Sequence, residues 1–167
     1  MKDPKEVKYD VDGYEFVTNA IKALVNQYPG LDENESFLFN ELPSEEGVAI
    51  FPSTGVAVYD ERESITGHVT QMCQYPFATV YRASGLNQTN RIRAKEWLDT
   101  FGRWLEKQTV SINGKQYVLK NWPELTGDRE IREISRQSPS YSTPPNEDKS
   151  EDWIIDMMVR YRNEFDR

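Results

Sequence analysis

Between Tyr14 and Tyr28 the residues Tyr14, Val17, Ile21, Leu24, Val25 and Tyr28 recur mostly at three- and four-residue steps. Phe16 and Ala20 widen this stripe into one broad apolar face, the pattern of an amphipathic helix. Asp12 is placed to cap it, and Glu15 three residues on completes a capping box. Pro29-Gly30 stops it, because Pro does not continue a helix and Gly permits the reversal. A second helix is predicted over Arg91–Gln108, where Ala94, Trp97, Leu98, Phe101, Trp104 and Leu105 form one stripe and most charges fall elsewhere. Asn90 or Thr89 caps it. Gly102 within it costs up to about 1 kcal/mol against Ala, which suggests that another element approaches closely there.

The remaining patterned segments have a period of two or are β-rich. Ser36–Glu41 puts Phe37 and Phe39 on one side of a short strand. Gly47–Phe51 and Gly55–Tyr59 are parted by the turn signal Pro52-Ser53-Thr54. His68–Gln74 and Phe77–Ala83 are parted by Tyr75-Pro76, where Pro76 makes either a tight turn or a bulge in one long strand. Phe77, Thr79 and Tyr81 alternate with Ala78, Val80 and Arg82, and neither set is plainly polar. That predicts an interior strand covered on both faces. Asn113-Gly114 reads as a hairpin turn and Arg129–Arg136 as a charged strand. The Ser- and Pro-rich stretch 138–150 reads as a surface loop, and 43–67 as a long loop-bearing β region. The chain closes on a strand with Trp153, Ile155, Met157, Val159 and Tyr161 on one face, the alternation breaking at Asn163. The expected architecture is α+β: one domain over 1–167, with two amphipathic helices packed on a mostly antiparallel, twisted sheet.

Composition narrows the function classes. The chain has 167 residues, one Cys and one His. A single Cys allows no internal disulfide and no cysteine zinc site. Met1 to Asp10 contain no apolar run, and no stretch approaches the roughly 18 apolar residues of a membrane helix. The expectation is a soluble protein of a reducing compartment, made without export. The net charge of −8 is local. Asp32, Glu33, Glu35, Glu41, Glu45, Glu46, Asp60, Glu61 and Glu63 face one base, Arg62, between Gly30 and Ile65. The rest of the chain is neutral, so no basic face is in place to hold a phosphate backbone.

Catalytic motifs are missing: there is no P-loop, no G-x-G-x-x-G, no G-x-S-x-G and no H-E-x-x-H. His68 and Cys73 stand five residues apart, so on one strand they face opposite sides and do not form a dyad. The acids could hold a divalent cation only if Asp60, Glu61 and Glu63, or Glu45 and Glu46, converged with other oxygen ligands. Asn87-Gln88-Thr89 matches a glycosylation sequon, which without export reads as helix-capping chemistry. The aromatics near bases (Tyr75, Phe77, Trp97 and Trp104) are better explained as packing than as nucleic-acid stacking. No cofactor site is legible.

The order of segments, with Gln74-Tyr75-Pro76-Phe77-Ala78-Thr79-Val80-Tyr81-Arg82 followed by Lys95-Glu96-Trp97-Leu98-Asp99-Thr100-Phe101-Gly102-Arg103-Trp104-Leu105, resembles the small tail terminator, tail-completion or minor capsid proteins of long-tailed phages and phage-tail-like particles. The resemblance runs from about Asp12 to Phe165. It implies a virion or tail-particle protein made in the bacterial host cytoplasm. Six copies would close into a ring that caps the tail tube, ends its polymerisation and joins it to the head or cap. The implied partners are further copies of the chain, the tube protein, and a sheath or head-connector protein. DNA would pass through the ring without being held and no membrane would be involved. Under this resemblance Glu45, Glu46, Asp60, Glu61 and Arg62 are the interface or lumen candidates, since a negative lumen repels passing phosphates. Two competing expectations are a head–tail connector or stopper of the same particle, and a small metal-dependent hydrolase built on the acidic cluster.

Overall fold

The computed structural model describes residues 7–53, 55–84, 87–125 and 127–167. The elements in order are β1 (Lys8–Tyr9), α1 (Val11–Val25), β2 (Leu38–Phe39), β3 (Gly47–Pro52), β4 (Ala57–Glu63), β5 (His68–Ala83) and α2 (Gln88–Leu105). They continue with β6 (Val110–Ile112), β7 (Lys115–Tyr117), β8 (Arg129–Arg136), β9 (Tyr141–Ser142) and β10 (Glu151–Asp166). The fold is α+β: two helices lie on a mostly antiparallel sheet of eight strands.

The sheet is organised by β5 and β10, which pair antiparallel along their full 16-residue lengths, from Glu151 opposite Ala83 to Asp166 opposite His68. On the other side of β5, β3 covers residues 77–82 and β4 covers 69–74. Pro76 sits where one hands over to the other. Its carbonyl accepts from the Ser53 N–H at 3.0 Å, so the side of the strand on which Pro lacks an N–H faces the gap between β3 and β4. One long strand therefore tolerates a mid-strand Pro without a turn, and β5 pairs with β10 straight through it. The register break in this part of the sheet falls instead between Arg160 and Tyr161 against β8, with another between Val58 and Asp60 against β5.

Both helices pack on the same sheet face. The Thr18 hydroxyl of α1 meets the Tyr75 hydroxyl at 2.8 Å, and a Cβ on Gly13 would collide with the Tyr161 hydroxyl. On α2, a Cβ on Gly102 would lie 2.9 Å from Ile155 and 2.7 Å from the Arg136 side chain, so the predicted close approach is real. Val17, Ile21, Leu24, Leu98, Phe101, Tyr75, Ile155, Met157, Val159 and Tyr161 are all 2 % exposed or less and form one core. The opposite face carries Ala78, Met72, Ile154 and Met158, all half-buried. No helix crosses it among the described residues. The expectation that β5 is interior is correct in the plane of the sheet, but only one of its faces is covered by helices.

Element ends differ from the sequence reading for identifiable reasons. Asp10, not Asp12, caps α1, its side chain accepting from the Gly13 N–H at 3.1 Å. The helix ends at Val25, and Tyr28 reaches the core from the following turn. Phe16 is on the outer side, 37 % exposed, with the Arg129 guanidinium over its ring. Asn87, rather than Thr89 or Asn90, caps α2, accepting from the Asn90 N–H at 2.8 Å. Asn113 and Gly114 have φ of 52° and 78°, the paired positive values of a tight hairpin turn between β6 and β7. The 43–67 stretch consists largely of β3 and β4, and Thr54 of its turn signal lies outside the described residues. The 138–150 loop contains β9 and is tied to α2 by Ser140, whose hydroxyl donates to Asp99 at 2.7 Å.

Candidate functional site

The nine acids that share one window of sequence are divided by the sheet. Gly47, just after Glu45 and Glu46, pairs with Arg82, whereas Glu61 pairs with Gln71. Those partners are eleven positions apart on β5, or about 35 Å at the rise of an extended strand. Glu45 and Glu46 thus mark one end of the sheet, and Asp60, Glu61 and Arg62 the other.

At the β4 end tertiary structure supplies the missing bases. Lys8 from the N-terminal segment bonds to Glu61, and Arg167 from the C-terminus lies 3.8 Å from Glu61 and 3.6 Å from Glu63. Arg62 pairs with Asp60 at 3.4 Å, and the Gln71 amide donates to Glu61 at 2.8 Å. The Glu61 carboxyl is held below its ordinary range by the Lys8 and Gln71 hydrogen bonds, which outweigh a small desolvation cost. Asp60 and Glu61 are neighbours on a strand and point to opposite faces. Glu45 and Glu46 are too distant to join them, and among the described residues no three His, Cys, Asp or Glu side chains are grouped to hold a metal ion.

Beneath this end lies a buried charged node that sequence reasoning missed. Arg129 grips Asp10 with two N–H groups at 2.8 and 3.0 Å, and the Tyr161 hydroxyl donates to the same carboxylate at 2.6 Å. Burial alone would raise the Asp10 pKa, but the Arg129 and Tyr161 hydrogen bonds overcome it and hold the group below its ordinary value. Its members come from positions 10, 129 and 161, so no local spacing could reveal it. Cys73 lies beside it, fully buried, its thiol pushed up to about 12 by desolvation and by the Asp10 charge. His68 stands at the strand end with Nδ1 2.8 Å from Asp166, and that hydrogen bond raises its pKa. The two groups are kept apart as their spacing predicts, and a thiol held that high is a poor nucleophile.

At the opposite end the acids have few bases. Glu46 accepts from the Tyr81 hydroxyl at 3.2 Å, and a cleft of about 660 Å³ opens among Tyr28, Tyr81, Trp97, Glu35, Glu46 and Glu96. The Glu35 pKa is raised by burial, with the charges of Asp32 and Glu46 adding to it against a backbone hydrogen bond from Asp32. Tyr75 and Phe77, read from the sequence as packing rather than contact aromatics, are core residues at 1 % and 3 % exposure. No helix among the described residues is long and apolar enough to cross a membrane. A scan against protein-family models finds no match to this chain, and a search of curated proteins finds no significant relative.

Proposed function

We propose that this protein is a structural component of a phage tail or phage-tail-like particle, a terminator that closes as a ring on the end of the tail tube. The observation that carries the proposal is the uncovered sheet face. An antiparallel sheet with one solvated face ordinarily alternates apolar-in and polar-out. Here Pro76, Ala78, Val80, Ile154 and Met158 bring apolar side chains to the side away from the helices, with Asp156 among them, bonded to the Ser138 and Tyr141 hydroxyls, and Met72 beyond Arg160. Ion pairs border them: Arg82 with Asp152 at 2.7 Å at one end, and Arg162 with Glu130 at 2.9 Å and Arg160 with Glu133 at 3.3 Å at the other. A mostly apolar strip holding one acid and ending in ion pairs is suited to a protein–protein contact, and head-to-tail contacts of this kind close into rings when the rotation per subunit divides the circle.

The acids sharpen the lumen reading. Asp60 and Glu61 are neutralised by neighbours, so a phosphate-repelling lumen would be lined by the Glu45–Glu46 end of the sheet. Electron microscopy of the protein with its tube protein tests the reading. Sixfold rings confined to tube ends are expected, and tubes of unrestricted length in its presence would overturn it. Met158→Glu, on the uncovered face, is expected to abolish ring formation while leaving the monomer folded.

A further inference from the structure

The cleft at the Glu46 end has a composition that the ring reading does not explain. Its floor is aromatic. The Trp97 ring is held by an Nε1–H bond to the Gly30 carbonyl at 3.2 Å, with Tyr28 edge-on at 5.2 Å and Tyr81 at 5.1 Å between ring centres. Asp32, Glu35, Glu46 and Glu96 line its walls. The base lining it is Arg93, which forms no ion pair among the described residues. Independently of the acids, Tyr28 is 3 % exposed, yet its hydroxyl makes no hydrogen bond among the described residues and borders the cleft. The ring is enclosed while the hydroxyl itself opens onto the cleft, where a ligand can reach it.

We propose that this cleft binds an organic cation, the ammonium or guanidinium head of a basic side chain or of a free polyamine. Tyr81, with the part of Trp97 left open by its stacking on Phe101, would offer the π surface, Glu35 and Glu46 the counter-charge, and the Tyr28 hydroxyl a hydrogen-bond acceptor. Each part follows from general chemistry. A cation is attracted to the faces of Trp and Tyr. Four carboxylates against one guanidinium exclude an anion. A bare metal ion does not fit, because these acids form no cluster of metal-binding geometry among the described residues and the volume of about 660 Å³ is that of an organic ligand. The raised Glu35 pKa, caused first by burial and then in part by its acidic neighbours, is the strain that an entering cation relieves.

Titration of the full chain followed by the Trp97 indole N–H resonance, identified by its loss in Trp97→Phe, tests this. The probes are N-acetyl-arginine amide, spermidine and the neutral N-acetyl-citrulline amide. A saturable shift with at least one cation and none with citrulline is expected. Glu35→Gln with Glu46→Gln should weaken binding about tenfold, from two near-surface carboxylate contacts. Tyr28→Phe should weaken it, and Arg93→Ala should tighten it. Saturation by arginine amide with spermidine silent assigns the ligand to a protein side chain, and the converse assigns it to a free polyamine. No saturation by either cation overturns the proposal. So does an equal response to citrulline, or unchanged affinity in Glu46→Gln, an exposed position whose replacement leaves the fold intact.

Discussion

Asp10 and Glu35 are both carboxylates near opposite ends of one sheet, and their environments shift them in opposite directions. Asp10 is buried but answered: two guanidinium N–H groups, a phenol and a backbone N–H take up its lone pairs. Its pKa falls below the ordinary value. Glu35 is less enclosed, but its burial is opposed only by a backbone hydrogen bond from Asp32 and is reinforced by the charges of Asp32 and Glu46, so its pKa rises. The contrast teaches that burial raises both groups and that the partners decide whether the rise survives. The paired site serves to hold the fold together, since it ties the start of α1 to β8 and β10. The unpaired site is held at a cost that a ligand would repay.

The largest way to break this contrast is at the paired node. Asp10→Ala leaves Arg129 buried without its counter-ion and removes the α1 cap, so denaturant unfolding should show a loss of about 3–5 kcal/mol. Replacing both charges, Asp10→Leu with Arg129→Met, should recover about half of that loss, because no uncompensated charge remains. A double variant no better than the single one would show that the cap and the Tyr161 hydroxyl carry the effect. Glu35→Gln should act in the other direction, neutral to stabilising by up to about 1 kcal/mol, because it removes a like charge. If it destabilises clearly, the acidic end is not frustrated.

Acid titration separates the two sites next. The folded Asp10 value lies below its unfolded one of about 3.9, so its contribution is complete above that pH and lost as pH falls through the folded value. Glu35 has the higher folded value, so protonation on descending through that value favours the folded state. Stability measured in wild type minus Glu35→Gln should therefore rise on mild acidification, before the steep loss that Asp10 governs. The smallest effect belongs to exposed His68. Its raised folded value adds stability below the unfolded value of about 6.5, which is lost as pH rises through the folded value. Asp166→Asn should bring the histidine midpoint, read by NMR, back toward 6.5.

Much of this fold was legible in local order. Of the stripe Ala94, Trp97, Leu98, Phe101, Trp104 and Leu105, all but the half-buried Trp97 are buried as the spacing requires, and the strand limits Arg129–Arg136 coincide with β8. Periodicity and turn chemistry are properties of neighbouring residues, so they survive without knowledge of the rest of the chain. The α1 cap was misplaced because a distant pairing bears on it, Arg129 and Tyr161 also bonding to Asp10, whereas the α2 cap at Asn87 is a local bond to Asn90 set one turn earlier than the reading placed it. Coverage of β5 was misread because strand patterns report how apolar each face is, not which elements lie on it.

The candidate site was the least legible part. Counting charges between Gly30 and Ile65 located a genuine imbalance, but not its geometry. By itself the sequence determined two amphipathic helices, the β segments, the hairpin at Asn113-Gly114 and an acidic window. Only tertiary structure decided that the window splits between the ends of β5, that Lys8 and Arg167 neutralise one half, and that Tyr28, Tyr81 and Trp97 form the floor beside the other. The reason is physical: a charge acts through space over about 10 Å in salt, and sheet pairing brings residues from positions 8, 61 and 167 inside that range while carrying Glu46 and Glu61 far beyond it.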